Sequence, residues 1–343
     1  MAKVQKSNQN ISPLAGIYFL DEAFTQIGMS KLIDNELGMR SLSGYQYSEI
    51  FRNIFNIFYC GGDCMEDIQV HLRPTLTNIP NNKVSSADTL LRGIKELATP
   101  NTEIISSAGK SYNFNINEKM NDLNLKSLRL TKQLKAGKSY DFDYDNQIIA
   151  HEKYDAKRTY KHNTGYFPGI ASIGDKIVYI ENRDGNANVK TAQAETLERA
   201  YKLLKKHKIT INRSRMDAGS YAEGIIKIVS ENSNFFYIRA NRCENLTERI
   251  REITDWKTVE INYKNYQVAS LPFTQFFEEL GYRLVVMREK NTNGQTDLFT
   301  GDNFIYRCIL TNDHESSEKE IIEYYNQRGS AEKLFDIQNN DFR

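Results

Sequence analysis

Apolar positions up to about residue 125 recur at the spacing of a helix, and beyond residue 138 the pattern changes to strands alternating with helices. The first region predicts helices over Leu14–Gln26 and Ser30–Leu37, broken at Gly28, with Ser30 as the N-cap of the second. Tyr47–Tyr59 carries Ile50, Phe51, Ile54, Phe55 and Phe58 as one apolar stripe and stops at Gly61–Gly62. A further helix over Ser86–Ala98 is closed by Pro100 and presents Ser86, Thr89 and Arg92 on one face, with Lys95 next along. Such a face suits either solvent or a DNA groove. Lys126, Arg129, Lys132, Lys135 and Lys138 then follow at intervals of three among leucines. That spacing precesses around a helix as a basic collar, able to neutralise phosphates or simply to be solvated.

Gly137 ends that segment and the period becomes two. Tyr140-Asp141-Phe142-Asp143-Tyr144-Asp145 sets three aspartates on one face of a strand and three aromatics on the other. Like charges so close favour an exposed edge or a bound cation. A basic stretch holding Lys157, Arg158 and Lys161 follows, then two strands over Gly169–Glu181 that turn at Gly174–Asp175. Next come a helix over Ala192–Lys206, a strand ending at Asp217 beside Gly219, a helix over Ala222–Glu231 and a strand over Phe235–Ala240. A carboxylate at the end of an interior strand is where α/β folds keep ligand-binding groups. Val259–Ala269, Arg283–Arg288 and Phe304–Leu310 complete a β-rich stretch.

Composition adds exclusions. With 343 residues, 40% hydrophobic and 26% charged, the chain has material for two or three cores, and it holds no apolar run of membrane-spanning length. The polar start Met1–Asn10 is not a secretory signal, so a cytoplasmic protein is expected. A net charge of +1 gives no general affinity for nucleic acid, and any DNA surface must be local. Cys60, Cys64 and His71 lack a fourth ligand at a zinc spacing, and Cys243 and Cys308 stand apart.

The last helix, expected over Ser317–Asn339, begins with the capping box Ser317–Glu320. On it Tyr325 and Glu332 lie about 20° apart in azimuth and Arg328 about 60° away, so a phenol, a guanidinium and a carboxylate share one face. Alone, that face is also what a surface helix with an Arg328–Glu332 pair would show. Tyr-x2-Arg-x3-Glu resembles the signature around the last catalytic glutamate of bacterial insertion-sequence transposases of the Asp-Asp-Glu type. The family pattern continues with x6-Lys, where this chain has Asn339. The resemblance covers about residues 139–343. It implies an α/β fold, a ribonuclease-H-like mixed sheet with a β-rich insertion, preceded by an N-terminal helical domain. The implied boundaries are 1–125 helical and DNA-binding, 126–138 a basic linker helix, 139–240 and 312–343 the catalytic core, and 241–311 the insertion.

The resemblance further implies Asp143, Asp217 and Glu332 as catalytic metal ligands. Asp141 and Asp145 share the face of Asp143, which is preferred as nearest the strand's centre. Two magnesium ions, with manganese able to substitute, would be held by these carboxylates, since hard divalent cations take oxygen ligands. The expected partner is double-stranded DNA, as terminal inverted repeats and target, bound by at least a dimer. Tyr325, Arg328, Arg92, Thr89, Lys157 and Arg158 are the expected DNA contacts, and Trp256 is either a packed core residue or a holder of a flipped base. The first reading is an active transposase. The alternatives are a relative that binds DNA without cutting, because of Asn339 and an end eleven residues past Glu332, or a nuclease that never joins strands. A non-enzymatic scaffold would instead keep the three carboxyl groups far apart.

Overall fold

The computed structural model describes residues 12–241, 244–273, 281–291 and 303–329. These form two compact units, one from residues 12–99 and 117–134, the other from residues 100–116 and 135–329. Among the described residues no helix is long and apolar enough to cross a membrane.

The first unit is helical. It holds α1 (Ile17–Gln26), α2 (Met29–Leu37), α3 (Tyr47–Tyr59), a π-helical turn (Ile68–Leu72) running into α4 (Arg73–Leu76), α5 (Ala87–Glu96) and α6 (Glu118–Leu130). Ile50, Ile54 and Ile57 of α3 are buried with Ile17, Ile68, Leu72, Leu76 and Leu90. The phenylalanines of the expected stripe are only half-buried, because α3 also buries Arg52, which forms an ion pair with the buried Asp21 of α1. Ser30 is not a cap. Gly28 occupies that position at φ 81°, a left-handed conformation that glycine adopts without a side-chain clash. Ser86 does cap α5 by accepting from the Thr89 amide.

Two expectations near the junction need correcting. The stretch before residue 125 is not all helical: β1 (Thr102–Ile105) and β2 (Ser111–Asn115) form an antiparallel hairpin that belongs to the second unit. Its four- and five-residue strands are too short for periodicity to register, although Tyr112 and Phe114 alternate inward. Nor does a helix run over 126–138. α6 ends where the Thr131 hydroxyl donates to the Ser127 carbonyl, and Lys132 (φ 61°) and Gly137 (φ 73°) are left-handed. Lys126 is neutralised by Glu36 and Asp122.

The second unit continues with β3 (Ser139–Asn146) and three short strands, β4 (Ile149–Ala150), β5 (Lys157–Arg158) and β6 (Thr164–Tyr166). Then come β7 (Gly169–Ile173), β8 (Lys176–Arg183), α7 (Gln193–Lys206), β9 (Thr210–Met216), a 3-10 turn (Ala218–Ser220), α8 (Glu223–Asn232) and β10 (Ser233–Arg239). α9 (Glu244–Arg251) opens the expected β-rich stretch, followed by β11 (Lys257–Ile261), β12 (Lys264–Phe273), β13 (Tyr282–Lys290), β14 (Phe304–Thr311) and α10 (Glu318–Asn326). The order β8-β7-β3-β9-β10, with β7 antiparallel to both neighbours and β9 parallel to β3 and β10, is that of a ribonuclease-H-like sheet. Antiparallel pairing of β14 to β10 joins the insertion strands to it, so eleven strands form one continuous sheet.

Alternation along β3 decides the layering. Phe142 and Tyr144 are fully buried, and Phe142 packs 4.8 Å from the Tyr201 ring of α7. The Tyr144 hydroxyl accepts from buried Arg183 and lies so near Gly169 that a Cβ there would come within 2.1 Å of it. The aspartates therefore face the opposite side, away from α7. Phe142→Ala should cost about 3–5 kcal/mol, read as a lower urea midpoint from the fluorescence of Trp256, the single tryptophan, which reports on this unit.

Candidate active site

β3 and β9 run parallel with Asp141 opposite Arg213, Asp143 opposite Arg215, and Tyr144 opposite Met216. Each of the first two rungs is a two-pronged ion pair. Arg213 donates to Asp141 at 3.0 and 2.7 Å, and Arg215 donates to Asp143 at 2.7 and 2.7 Å. Such forks are the strongest geometry open to these groups. The next residues on that face are Asp145 and Asp217, so the ladder of unlike charges ends in two carboxylates.

Nothing in the ladder neutralises this last rung. Burial and then the neighbouring Asp145 carboxylate raise the Asp217 carboxyl above its ordinary range. The Arg328 guanidinium and the amides of Gly219 and Ser220 oppose that rise. Gly219 fits closely here, since a Cβ would lie 2.9 Å from Val189 and 3.0 Å from the Asp217 carboxylate. Arg328 donates to Asp145 at 2.8 Å from just beyond α10.

α10 reaches this face through its own chemistry. Ser317 and Glu320 make the expected reciprocal cap, and Arg283 of β13 donates to Glu318 at 3.0 Å and to the Ser316 carbonyl at 2.7 Å. Ile321, Ile322 and Tyr325 bury against Val268, Val285 and Ile309 of the insertion strands. The Tyr324 ring lies under both ladder arginines, 4.0 Å from Arg213 and 4.6 Å from Arg215, and its carbonyl accepts from Arg215 at 3.0 Å. Tyr325 is buried with its hydroxyl donating to the Met216 carbonyl at 3.2 Å. Tyr325, one of the expected DNA contacts, here packs the helix onto the strand that presents Asp217.

The other expected residues are dispersed. Asp143 is held by Arg215, with 8% and 9% of their side chains exposed, whereas Asp145 stands beside Asp217. Glu332 and Asn339 lie outside the described residues, as does the part of the expected last helix beyond residue 329. Lys157 and Arg158 are exposed on β5, and Thr89 and Arg92 lie on α5 in the helical unit, where Arg92 is exposed. Trp256 is half-buried: its indole donates to the Ile253 carbonyl at 3.1 Å, and Arg288 covers its ring at 3.8 Å, which favours the packed reading.

Asp145 and Asp217 have the donor chemistry of a divalent-cation site, two oxygen ligands whose mutual repulsion a cation would relieve. Among the described residues no three His, Cys, Asp or Glu side chains gather as a metal-binding group.

A family model described as transposase DDE domain group 1 matches residues 2–343. No curated protein matches the chain significantly. Among solved structures, a cryo-EM structure of the piggyBac transposase synaptic complex with hairpin DNA is similar at a TM-score of 0.40 and 12% identity. The alignment covers 94% of this chain and 66% of that one.

Two substitutions separate the rungs. Asp143→Asn leaves buried Arg215 without its counter-charge and should cost about 3–5 kcal/mol. Asp217→Asn should instead raise the melting temperature at pH 7. A carboxyl whose pKa is raised by folding binds its proton more tightly in the folded state, so its stabilising effect is complete at low pH and is lost as pH rises through the folded value. The gain from Asn should therefore disappear as pH falls below the carboxylate range, as a thermal-melt series would record.

Proposed function

The chain belongs to the family of transposases that share the group 1 DDE domain, and on that premise we propose that it cuts and joins DNA at Asp145 and Asp217, with Glu332 as the third carboxylate. The observation that carries this reading is the last rung of the ladder, where two carboxylates come together at the ends of parallel strands and burial, then the Asp145 charge, raise the pKa of Asp217. Family membership implies dependence on a divalent metal; magnesium is the proposed ion, with manganese in its place in assays. Asp145 replaces Asp143 as the proposed first ligand, because Asp143 is fully engaged by Arg215.

The residues divide the work. Metal ions held by Asp145, Asp217 and Glu332 would supply an activated oxygen nucleophile and stabilise the leaving oxygen of the phosphodiester. Asp145 and Asp217 would hold that charge at the strand ends, and the amides of Gly219 and Ser220 fix the Asp217 carboxylate. Arg328, now on Asp145, is placed to donate to a phosphate oxygen of the substrate, a geometry the guanidinium suits. Asp141 and Asp143 hold β3 in register through their arginines and take no part in the chemistry. The proposed substrate is double-stranded DNA at the element's ends, and joining two ends requires two copies of the chain. A chain that binds these ends without cutting is the second reading, favoured by Asn339.

The test is a supercoiled plasmid carrying the gene's native flanks, incubated with the protein and manganese. Nicks should fall at the flanks. Asp145→Asn, Asp217→Asn and Glu332→Gln should each lower the rate by more than the roughly 10–100-fold that loss of an outer-shell partner costs a metal site. Folded Asp143→Asn protein should keep most of the rate. Flank binding without nicks by the wild type would establish the second reading, and loss of nicking in Asp143→Asn but not in Asp145→Asn would reverse the ligand assignment.

A further inference from the structure

Between β3 and β7 the chain leaves the main sheet and builds the small sheet β4-β6-β5, whose strands are only two and three residues long. So small a sheet buries no core of its own. It is nevertheless fastened at many points. The Gln147 amide donates to the Pro168 carbonyl at 3.1 Å, the Phe167 amide to Arg183 at 3.0 Å, and the His151 amide to Thr164 at 3.0 Å. The Tyr166 hydroxyl donates to Asp155 at 2.6 Å. Gly185 lies against its backbone so closely that a Cβ would fall 2.3 Å from the Gly165 carbonyl oxygen and 2.7 Å from that of Lys157.

What this anchored sheet presents is unusual for solvent. Tyr154 is fully exposed at 101%, and Tyr160 is 66% exposed while its ring stands edge-on to buried Phe167 at 5.7 Å. Lys153, Lys157, Arg158 and Lys161 are exposed, and none makes an ion pair among the described residues. Over residues 149–166 these four cations face two carboxylates, Glu152 and Asp155, in a chain whose overall net charge is +1. The excursion starts after Asn146, next to Asp145, and returns at Gly169, the partner of Asn146. It is rooted at the end of β3 that carries the candidate site.

We propose that this small sheet grips the DNA strand leaving the site, with the four cations on its phosphates and Tyr154 and Tyr160 stacked on its unpaired bases. The proposal rests on the reading that Asp145 and Asp217 act on DNA. The chemistry is that of strand-binding surfaces in general: cations follow the backbone, and exposed rings accept any base because every base has a π-face. Tyr160 is held edge-on by Phe167 and so loses little freedom when a base stacks on it. A protein partner of acidic surface would satisfy the cations but would not require unpaired bases, and the tyrosines therefore decide between the two.

Binding of the full chain without divalent metal is measured by fluorescence anisotropy, on a blunt duplex carrying the native end and on the same duplex with its terminal bases unpaired. Trp256 fluorescence confirms that each variant is folded. Replacing Lys153, Lys157, Arg158 and Lys161 together by Gln should weaken binding to both and reduce the slope of log K against log salt by about 0.9 for each phosphate no longer neutralised. Tyr154→Ala with Tyr160→Ala should lower affinity about tenfold on the unpaired end alone, and the corresponding Phe pair should restore it. Unchanged binding in the Gln variant overturns the proposal, as does an equal loss on both duplexes in the Ala pair. Plasmid nicking is scored separately. A wild type that nicks while every sheet variant binds and nicks normally sinks the sheet proposal alone, and a wild type that never nicks, with binding weakened in these variants as expected, sinks the cleavage reading alone.

Discussion

The pairing of Asp141 with Arg213 and of Asp143 with Arg215 is the constraint from which the site follows. Two forked ion pairs along one face of adjacent parallel strands fix the register, and a slip by one residue would turn every charge toward the aromatic layer. Register alone then places Asp145 beside Asp217. The same arginines offer their flat faces to Tyr324, so the interaction that aligns the strands also seats the helix that delivers Arg328. One set of contacts determines where two acids and one base meet.

Electrostatically the ladder is graded. The first two rungs are forked arginine–aspartate pairs, and at the third Asp217 has a raised pKa, opposed among the described residues by Arg328 and the amides of Gly219 and Ser220. Under the proposed reading, stability and function oppose each other at that rung, because the burial and repulsion that raise the Asp217 pKa are what a cation would relieve.

Much of this was legible in the sequence. The period-two run of aspartates and aromatics gave β3 and its two faces, and the capping box gave the start of α10. Asp217 was recognisable as a strand-end carboxylate beside a glycine. The proposed choice of Asp145 over Asp141 and Asp143 rests on the arginine partners of the other two, which centrality along the strand does not reveal. A signal was nevertheless present: Arg213-x-Arg215-x-Asp217 repeats the spacing of Asp141-x-Asp143-x-Asp145, and laid in parallel the two runs pair from the left and leave the last acids together. The hairpin β1-β2 and the helix α9 escaped because short elements are specified by tertiary pairing more than by local pattern.

The contact between Asp145 and Arg328 spans 183 residues, and the helix that positions Arg328 is seated partly by the insertion strands. During synthesis the chain emerges in order, at roughly 5–20 residues per second. The two aspartates therefore leave the ribosome well before the groups that complete their surroundings. A nascent chain holding β3 and β9 has the acids but neither Arg328 nor the helix that covers the ladder. The order of translation thus keeps this pair of acids without its counter-charge until residue 328 has been made.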